Sequence, residues 1–309
     1  MPHFNEQKAV PVTDNDNPGF YHYAIGDAQV MPISDGAMTM ALPDGLVKNA
    51  GRDEINAALR AAFLPEDKLT IHFTPVIIRT GGKTVLIDTG NGASAFAASK
   101  GAVGRFATNL KASGLDVGAI DCVVISHFHG DHLNGLLTVD GKPAFPNAEV
   151  LVPAPEWAFW MDDGEMNRVP DGRAKENFAN CRRVFTTGLN GNVRQYAWDD
   201  EVAPGLRAVA TPGHTPGHTS FTLTSGAKSL FIQSDVTNNP ALFAVHPGWH
   251  LMFDADPVLA EATRRKVYDM LAHERMRVQG FHYPFPANGF VEKTSDGYQV
   301  VPAPWLGEV

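Results

Sequence analysis

Short apolar runs bounded by Gly, Pro, Asn and Asp recur along the chain, the pattern of brief strands separated by turns. They predict strands over residues 28–33, 71–78, 84–87, 122–125, 149–152, 206–210, 221–223, 230–233 and 277–281. Between them, apolar positions at helical spacing predict helices over residues 53–63, 105–113, 155–161 and 257–274. The last is the clearest, with Pro257 at an N-terminal position and apolar residues at 260, 267, 270 and 271,. Strands interleaved with helices imply a mixed α/β fold, two sheets covered by helices. No repeat or linker divides the chain, so residues 20–309 read as one domain. Residues 1–19, polar and rich in Pro, Asn and Asp, read as a flexible N-terminal arm,.

Composition narrows the chemistry. With 309 residues, 44% of them hydrophobic and 19% charged, the chain can bury a sizeable core,. A net charge of -9 without any basic run argues against nucleic acid as a partner,. No apolar stretch is long enough to span a bilayer, and the opening MPHFNEQKAV lacks the apolar segment of a signal peptide,. A cytoplasmic location is therefore expected, or a periplasmic or secreted one if a leader has been removed. Only Cys122 and Cys181 occur, which excludes a disulfide framework or a cysteine-rich zinc site. Any metal must be held by histidine and carboxylate, and both thiols read as structural.

The run Ser126-His127-Phe128-His129-Gly130-Asp131-His132 directly follows the apolar strand that ends at Ile125. A tight loop there can turn His127 and His129 toward one metal and Asp131 and His132 toward another, with Gly130 expected to ease the bend. Thr211-Pro212-Gly213-His214-Thr215-Pro216-Gly217-His218 follows another strand and should present one of its two histidines as a ligand,. Asp88, Asp235 and His282 each come straight after an apolar run. Isolated, each would read as a turn residue or a satisfied polar group. Their shared place at strand ends, where loops carry chemistry in layered α/β folds, favours one common site.

In this order and spacing, the His127-to-His132 cluster, His214, Asp235 and His282 resemble the metallo-β-lactamase superfamily over about residues 28–300. The resemblance implies an αββα sandwich of two mixed sheets flanked by helices. It also implies a first metal on His127, His129 and His214, a second on Asp131, His132 and His282, and Asp235 bridging both. Asp88 and His218 would then orient ligands without binding metal. The run from His282 through Pro286 and the segment around Gly297 to Pro302 resemble the group that contains methyl parathion hydrolase, dihydrocoumarin-type lactonases and N-acyl homoserine lactone lactonases. Asn238 departs from it, since the acyl-homoserine lactonases often carry Tyr there.

Two divalent ions, zinc first and manganese, iron or cobalt admitted by the same donors, would supply a bridging hydroxide, with Asp235 and Asp131 as the catalytic carboxylates. The expected function is hydrolysis of a lactone or aryl ester with phosphotriesterase side activity. A phosphotriester hydrolase proper is the nearest alternative. A mononuclear iron persulfide-type oxygenase, from another class, needs fewer of these ligands, and a non-catalytic metal-stabilised binding protein is the remaining option. Asp235 stands where true β-lactamases use cysteine, which disfavours antibiotic cleavage. Phe106, Trp160, Phe178 and Phe243, with Phe253, are the candidate pocket wall for a small neutral or apolar substrate, and His250 a candidate proton donor,. No membrane partner is expected, and a homodimer is an option.

Overall fold

In the computed structural model, which describes residues 17–305, the strands form two seven-stranded mixed sheets. Residues 1–16 of the expected arm lie outside the described residues. The first sheet runs in the order Tyr23–Ile25, Ala28–Pro32, Val76–Thr80, Lys83–Ile87, Cys122–Val124, Glu149–Pro153, Arg194–Tyr196. The second runs Glu201–Ala203, Leu206–Ala210, Thr219–Ser225, Lys228–Ser234, Arg277–Gly280, Asn288–Lys293, Tyr298–Pro302. Lys83–Ile87, Cys122–Val124, Glu149–Pro153 and Arg194–Tyr196 are mutually parallel, as are Lys228–Ser234 and Arg277–Gly280. Within each parallel set the carboxyl ends therefore reach the same edge.

Alternation along the strands decides which side chain enters which core. Val85, Ile87, Val124 and Leu151 point into the layer between the sheets and meet Leu206, Phe221, Leu230 and Ile232. Their neighbours Leu86, Val123, Val150 and Val152 point the other way, into a core shared with the helices Phe106–Ala112, Ala154–Trp160 and Arg173–Arg182. The helix Pro257–Glu274 covers the second sheet, burying Val267, Tyr268 and Leu271 against Phe231 and Val278. It begins with Asp256 accepting from the Leu259 N–H and Pro257 at its first position, and it stops at Arg275 in the left-handed region, φ 51°,. The resulting order is helix, sheet, sheet, helix.

One expected element differs, and one helix was not expected. The single strand expected over 71–78 is two, Lys68–Phe73 and Val76–Thr80, because Pro75 has no N–H to continue a ladder,. Lys68–Phe73 lies outside the main sheets and pairs with Gly36–Ala41 as a separate two-stranded sheet. The helix Arg173–Arg182 had no readable apolar stripe, since only Phe178 and Cys181 of its ten residues are buried.

Candidate functional site

The ligand-type residues meet at the sheet edge where the parallel strands end. After Cys122–Val124 the chain runs through Ser126 to His129, and the short helix Gly130–Leu133 then brings Asp131 and His132 round. Gly130 adopts no positive φ, so the bend does not depend on glycine's conformational freedom as the sequence suggested. Gly213 does carry that burden. It sits at φ 130°, where an added Cβ would lie 2.4 Å from the Ala260 nitrogen,.

Three nitrogens converge in one group: His129 Nδ1 lies 3.1 Å from His127 Nε2 and 2.9 Å from His214 Nε2. Asp131, His132 and His282 form a second group, with His282 Nε2 3.4 Å and His132 Nε2 3.7 Å from Asp131 Oδ2. Asp235 stands between the groups. Its Oδ2 is 3.4 Å from His214 Nε2 and 3.0 Å from His282 Nε2, and its Oδ1 is 3.3 Å from His132 Nε2.

The outer nitrogens are already committed. His132 Nδ1 faces Asp88 Oδ2 at 2.8 Å, His214 Nδ1 faces Asp254 Oδ1 at 2.8 Å, and His282 Nδ1 faces the His72 carbonyl at 2.7 Å. These oxygens accept, so Nδ1 donates and each ring turns its Nε2 inward, where a cation can take its lone pair. His132 Nε2 and Asp235 Oδ1, both buried, have no other hydrogen-bond partner among the described residues. Buried lone pairs aimed at one another are unfavourable until a cation lies among them, and imidazole with carboxylate is a donor set that divalent metals accept. The residues present therefore fit a metal pair.

The electrostatics agree. Burial, reinforced by neighbouring imidazoles, holds His127 and His129 well below the usual histidine range, leaving them neutral as ligands must be,. Burial also pulls on His132, but the carboxylates of Asp235 and Asp88 outweigh it and hold that ring well above its ordinary value. The second group thus lies in a field that favours positive charge.

Asp88 and His218 both contact residues of the two groups without belonging to either. Asp88, in the left-handed region at φ 57°, accepts from the Ser126 N–H and hydroxyl, each at 2.8 Å, as well as from His132. His218 is fully buried, its pKa pushed down to about 3 by burial. Its Nδ1 donates to the Thr211 carbonyl at 3.0 Å, while Nε2 accepts from the Asp235 N–H at 3.0 Å and so fixes the backbone of that carboxylate. Ser234, immediately before it, is also left-handed at φ 51°. Such strain is held where the surrounding structure over-determines it.

Sequence reasoning missed two carboxylates. Asp254 orients His214, and the buried Arg264 lies 3.6 Å from its other oxygen. Glu156, fully buried, accepts from the Phe128 N–H at 2.9 Å, the Trp160 indole N–H at 2.8 Å and the Gly217 N–H at 2.6 Å, tying the two histidine loops together. Neither has a local motif around it that could have revealed it.

The pocket wall needs correction. A cavity of about 420 Å³ opens over His129, Asp131, His214, Asp235 and His282. Its apolar side is Met38, Met40, Ile71 and Phe73 from the two-stranded sheet, with Met252 and Phe253. Phe106, Trp160, Phe178 and Phe243 do not line it. Phe106 packs edge-on against Phe145, Trp160 and Phe178 pack together 4.6 Å apart beneath the helices, and Phe243 belongs to the core under Arg52–Ala61. Large aromatic surfaces gain most from full burial, and each of these faces a sheet or helix. His250 is paired with Glu261 at 2.9 Å and does not line the cavity, whereas Asn238 does.

Residues 74–273, more than half of the chain, match the family model of the metallo-beta-lactamase superfamily. A curated N-acyl homoserine lactonase from Bacillus sp is 28% identical over 136 residues, a match covering 43% of this chain and 46% of that protein. The chain thus matches less than half the length of that relative. Among solved structures, AidC, a dizinc quorum-quenching lactonase in complex with a product, superposes with a TM-score of 0.85 at 22% identity over 94% of this chain and 99% of that one. The hydrolase AbOPH of the beta lactamase superfamily gives 0.84 at 26% identity over 94% and 100%. No helix among the described residues is long and apolar enough to cross a membrane. With both ligand groups seated at the edge of the two-sheet sandwich, the chain belongs to the metallo-beta-lactamase superfamily.

Proposed function

We propose that this protein opens a lactone ring, or cleaves an aryl ester, at a two-metal centre, zinc being the first expectation for both ions. His127, His129 and His214 would hold one ion, Asp131, His132 and His282 the other, with Asp235 touching both. The observation that carries this reading is Asp235, whose Oδ2 lies 3.4 Å from His214 of one group and 3.0 Å from His282 of the other, with Oδ1 3.3 Å from His132. Bound there, paired divalent cations lower the pKa of water toward neutrality and polarise the scissile carbonyl.

The chain's own residues supply the rest. Water adds its oxygen to the carbonyl carbon, the ester C–O bond breaks, and one water proton passes to the departing alkoxide. Asp131 lines the cavity with its side chain 27% exposed, against 3% for Asp235, and is placed to move that proton through the carboxylate oxygen not turned to the histidines,. The methionine and phenylalanine side of the cavity excludes water and accepts an apolar substituent without demanding one shape. A phosphotriester presents a similar electrophile beside an aryl group, so slower phosphotriesterase activity is part of the proposal. The complete second group, Asp131, His132 and His282, weighs against a mononuclear oxygenase.

The test is a hydrolysis screen of metal-replete protein against γ-lactones, dihydrocoumarin, aryl esters, an aryl phosphotriester and a β-lactam. Lactones or aryl esters should turn over fastest. A β-lactam as best substrate, or no hydrolysis of any lactone or ester, would refute the reading.

A further inference from the structure

Two buried tyrosines carry hydroxyls that the reaction does not use. Tyr268 stands on the helix Pro257–Glu274 and Tyr283 directly follows His282, and both rings are buried in the apolar cluster between that helix and the second sheet. A hydroxyl placed there costs free energy unless it is bonded, and phenylalanine would fill the same room without that cost. Both hydroxyls are bonded, to each other and onward. Tyr268 Oη meets Tyr283 Oη and lies 3.0 Å from Gln233 Oε1, while Gln233 Nε2 lies 2.9 Å from the Thr237 carbonyl.

The direction of this string of hydrogen bonds follows from its far end. The Thr237 carbonyl only accepts, so the Gln233 amide donates to it and turns Oε1 toward Tyr268,. Oε1 only accepts in turn, so Tyr268 spends its one proton there and accepts from Tyr283. Burial pushes the Tyr268 hydroxyl up to about 12 and holds that of Tyr283 well above the usual tyrosine range, so both stay protonated near neutral pH,. The two ends of the string reach the site. Tyr283 adjoins His282, Gln233 and Thr237 bracket Asp235, and the side chains of Asp235 and His282 lie 3.0 Å apart. The Tyr283 ring also rests on the strand Arg277–Gly280, so close that a Cβ on Gly280 would lie 2.5 Å from its Cγ. One turn before Tyr268, Arg264 donates to the Val236 carbonyl at 3.2 Å, a second hold on the Asp235 segment from the same helix.

We infer that Tyr268 is a positioning residue for the second metal: by joining Tyr283 to Gln233, its hydroxyl sets where His282 stands against Asp235. The inference rests on the two-metal reading and extends it from the ligands to the helix behind the second sheet. With phenylalanine in place of Tyr268, Gln233 Oε1 loses its donor and the Tyr283 proton its acceptor, both among apolar side chains. Each group then gains by moving to another partner, and the segments of Asp235 and His282 move with them. No residue of the string adjoins His127, His129 or His214 in sequence, so the first group keeps its own supports. Tyr298 supplies the contrast. It packs edge-on against Tyr268 at 5.3 Å in the same cluster, but its hydroxyl donates to the exposed Asp269 at 2.9 Å, away from both segments.

The test titrates metal-free protein with cobalt(II) against a competing chelator and follows the visible absorption as each equivalent binds. Wild type should take up about two equivalents. In Tyr268→Phe one of them should weaken about ten- to hundredfold with a changed absorption band, the range for lost partners of metal-binding residues, while the other stays within about threefold. In a His282→Ala background, which leaves the first group alone, adding Tyr268→Phe should not change the affinity of the remaining equivalent. Tyr298→Phe removes a hydroxyl from the same cluster and should leave both equivalents as in wild type, a difference that a merely structural role for Tyr268 would not produce. Tyr283→Phe leaves the Gln233 bond intact and should weaken the same equivalent as Tyr268→Phe, deciding the matter should the latter fail to fold. Equal weakening of both equivalents, no weakening of either, or a Tyr298→Phe protein that matches Tyr268→Phe overturns the inference. A wild type that binds a single equivalent would instead refute the two-metal reading on which it rests.

Discussion

Glu156→Gln is the sharpest probe of how the site is held. Three N–H groups, from Phe128, Trp160 and Gly217, converge on a carboxylate that is fully buried. All three partners only donate, and Gln offers one acceptor oxygen where Glu offers two. With the amide oxygen at the Oε2 position, the bonds to Phe128 and Trp160 survive but lose their charge assistance, and the Gly217 N–H faces an NH₂ group. The stranded donor costs about 1–3 kcal/mol, and the two weakened bonds about 1 kcal/mol each. Burial raises the pKa of Glu156, so the ionised form carries a desolvation cost that Gln avoids. Allowing about 1–2 kcal/mol for that relief leaves a net loss of roughly 1–4 kcal/mol. Urea unfolding of the metal-loaded protein at neutral pH should show it as a lowered midpoint with unchanged slope. Metal should also be released more readily, because Phe128 lies between His127 and His129. A variant as stable as wild type, or more so, would refute the reasoning and mean that Glu156 is not an anionic acceptor joining the two loops.

Three other outcomes follow from the same geometry. Asp254→Ala should weaken metal retention about ten- to hundredfold, as lost orienting partners of ligating histidines typically do. The fold should survive, since Arg264 keeps its bonds to the carbonyls of Val236, Pro247 and Trp249, and chelator titration with circular dichroism checks both points. Trp160→Ala should cost about 3–5 kcal/mol of stability, measured by denaturation, while leaving the ranking of substrates alone, because the ring is 6% exposed and off the cavity,. Burial pushes the Cys122 thiol up to about 12 and holds Cys181 well above the usual thiol range. Iodoacetamide at pH 8 should therefore label neither until the protein is unfolded, and rapid native labelling of either would contradict this.

The metal site was legible because its information is local. His127, His129, Asp131 and His132 lie within one turn of chain, and the other ligand-type residues each follow a strand whose hydrophobic run announces where it ends. The residues that position them are not local in this sense. Asp254 meets His214 across forty positions, and Glu156 meets Gly217 across sixty-one. A lone carboxylate in a helix or loop carries no mark of such a partner. The pocket failed for a related reason: aromatic residues mark burial, but the chain does not say whether a buried ring faces core or cavity. Met38 and Met40 became the wall because Pro75 broke the expected strand and left Lys68–Phe73 to pair with Gly36–Ala41 beside the site.

The central claim, two metals shared through Asp235, is tested most directly by elemental analysis of the metal-replete protein beside three variants. The account predicts about two equivalents per chain in wild type, about one in His127→Ala and in His282→Ala, and loss of both metal and turnover in Asp235→Ala. A single equivalent in fully active wild type, or an Asp235→Ala protein with normal metal content and near-normal turnover, would contradict it.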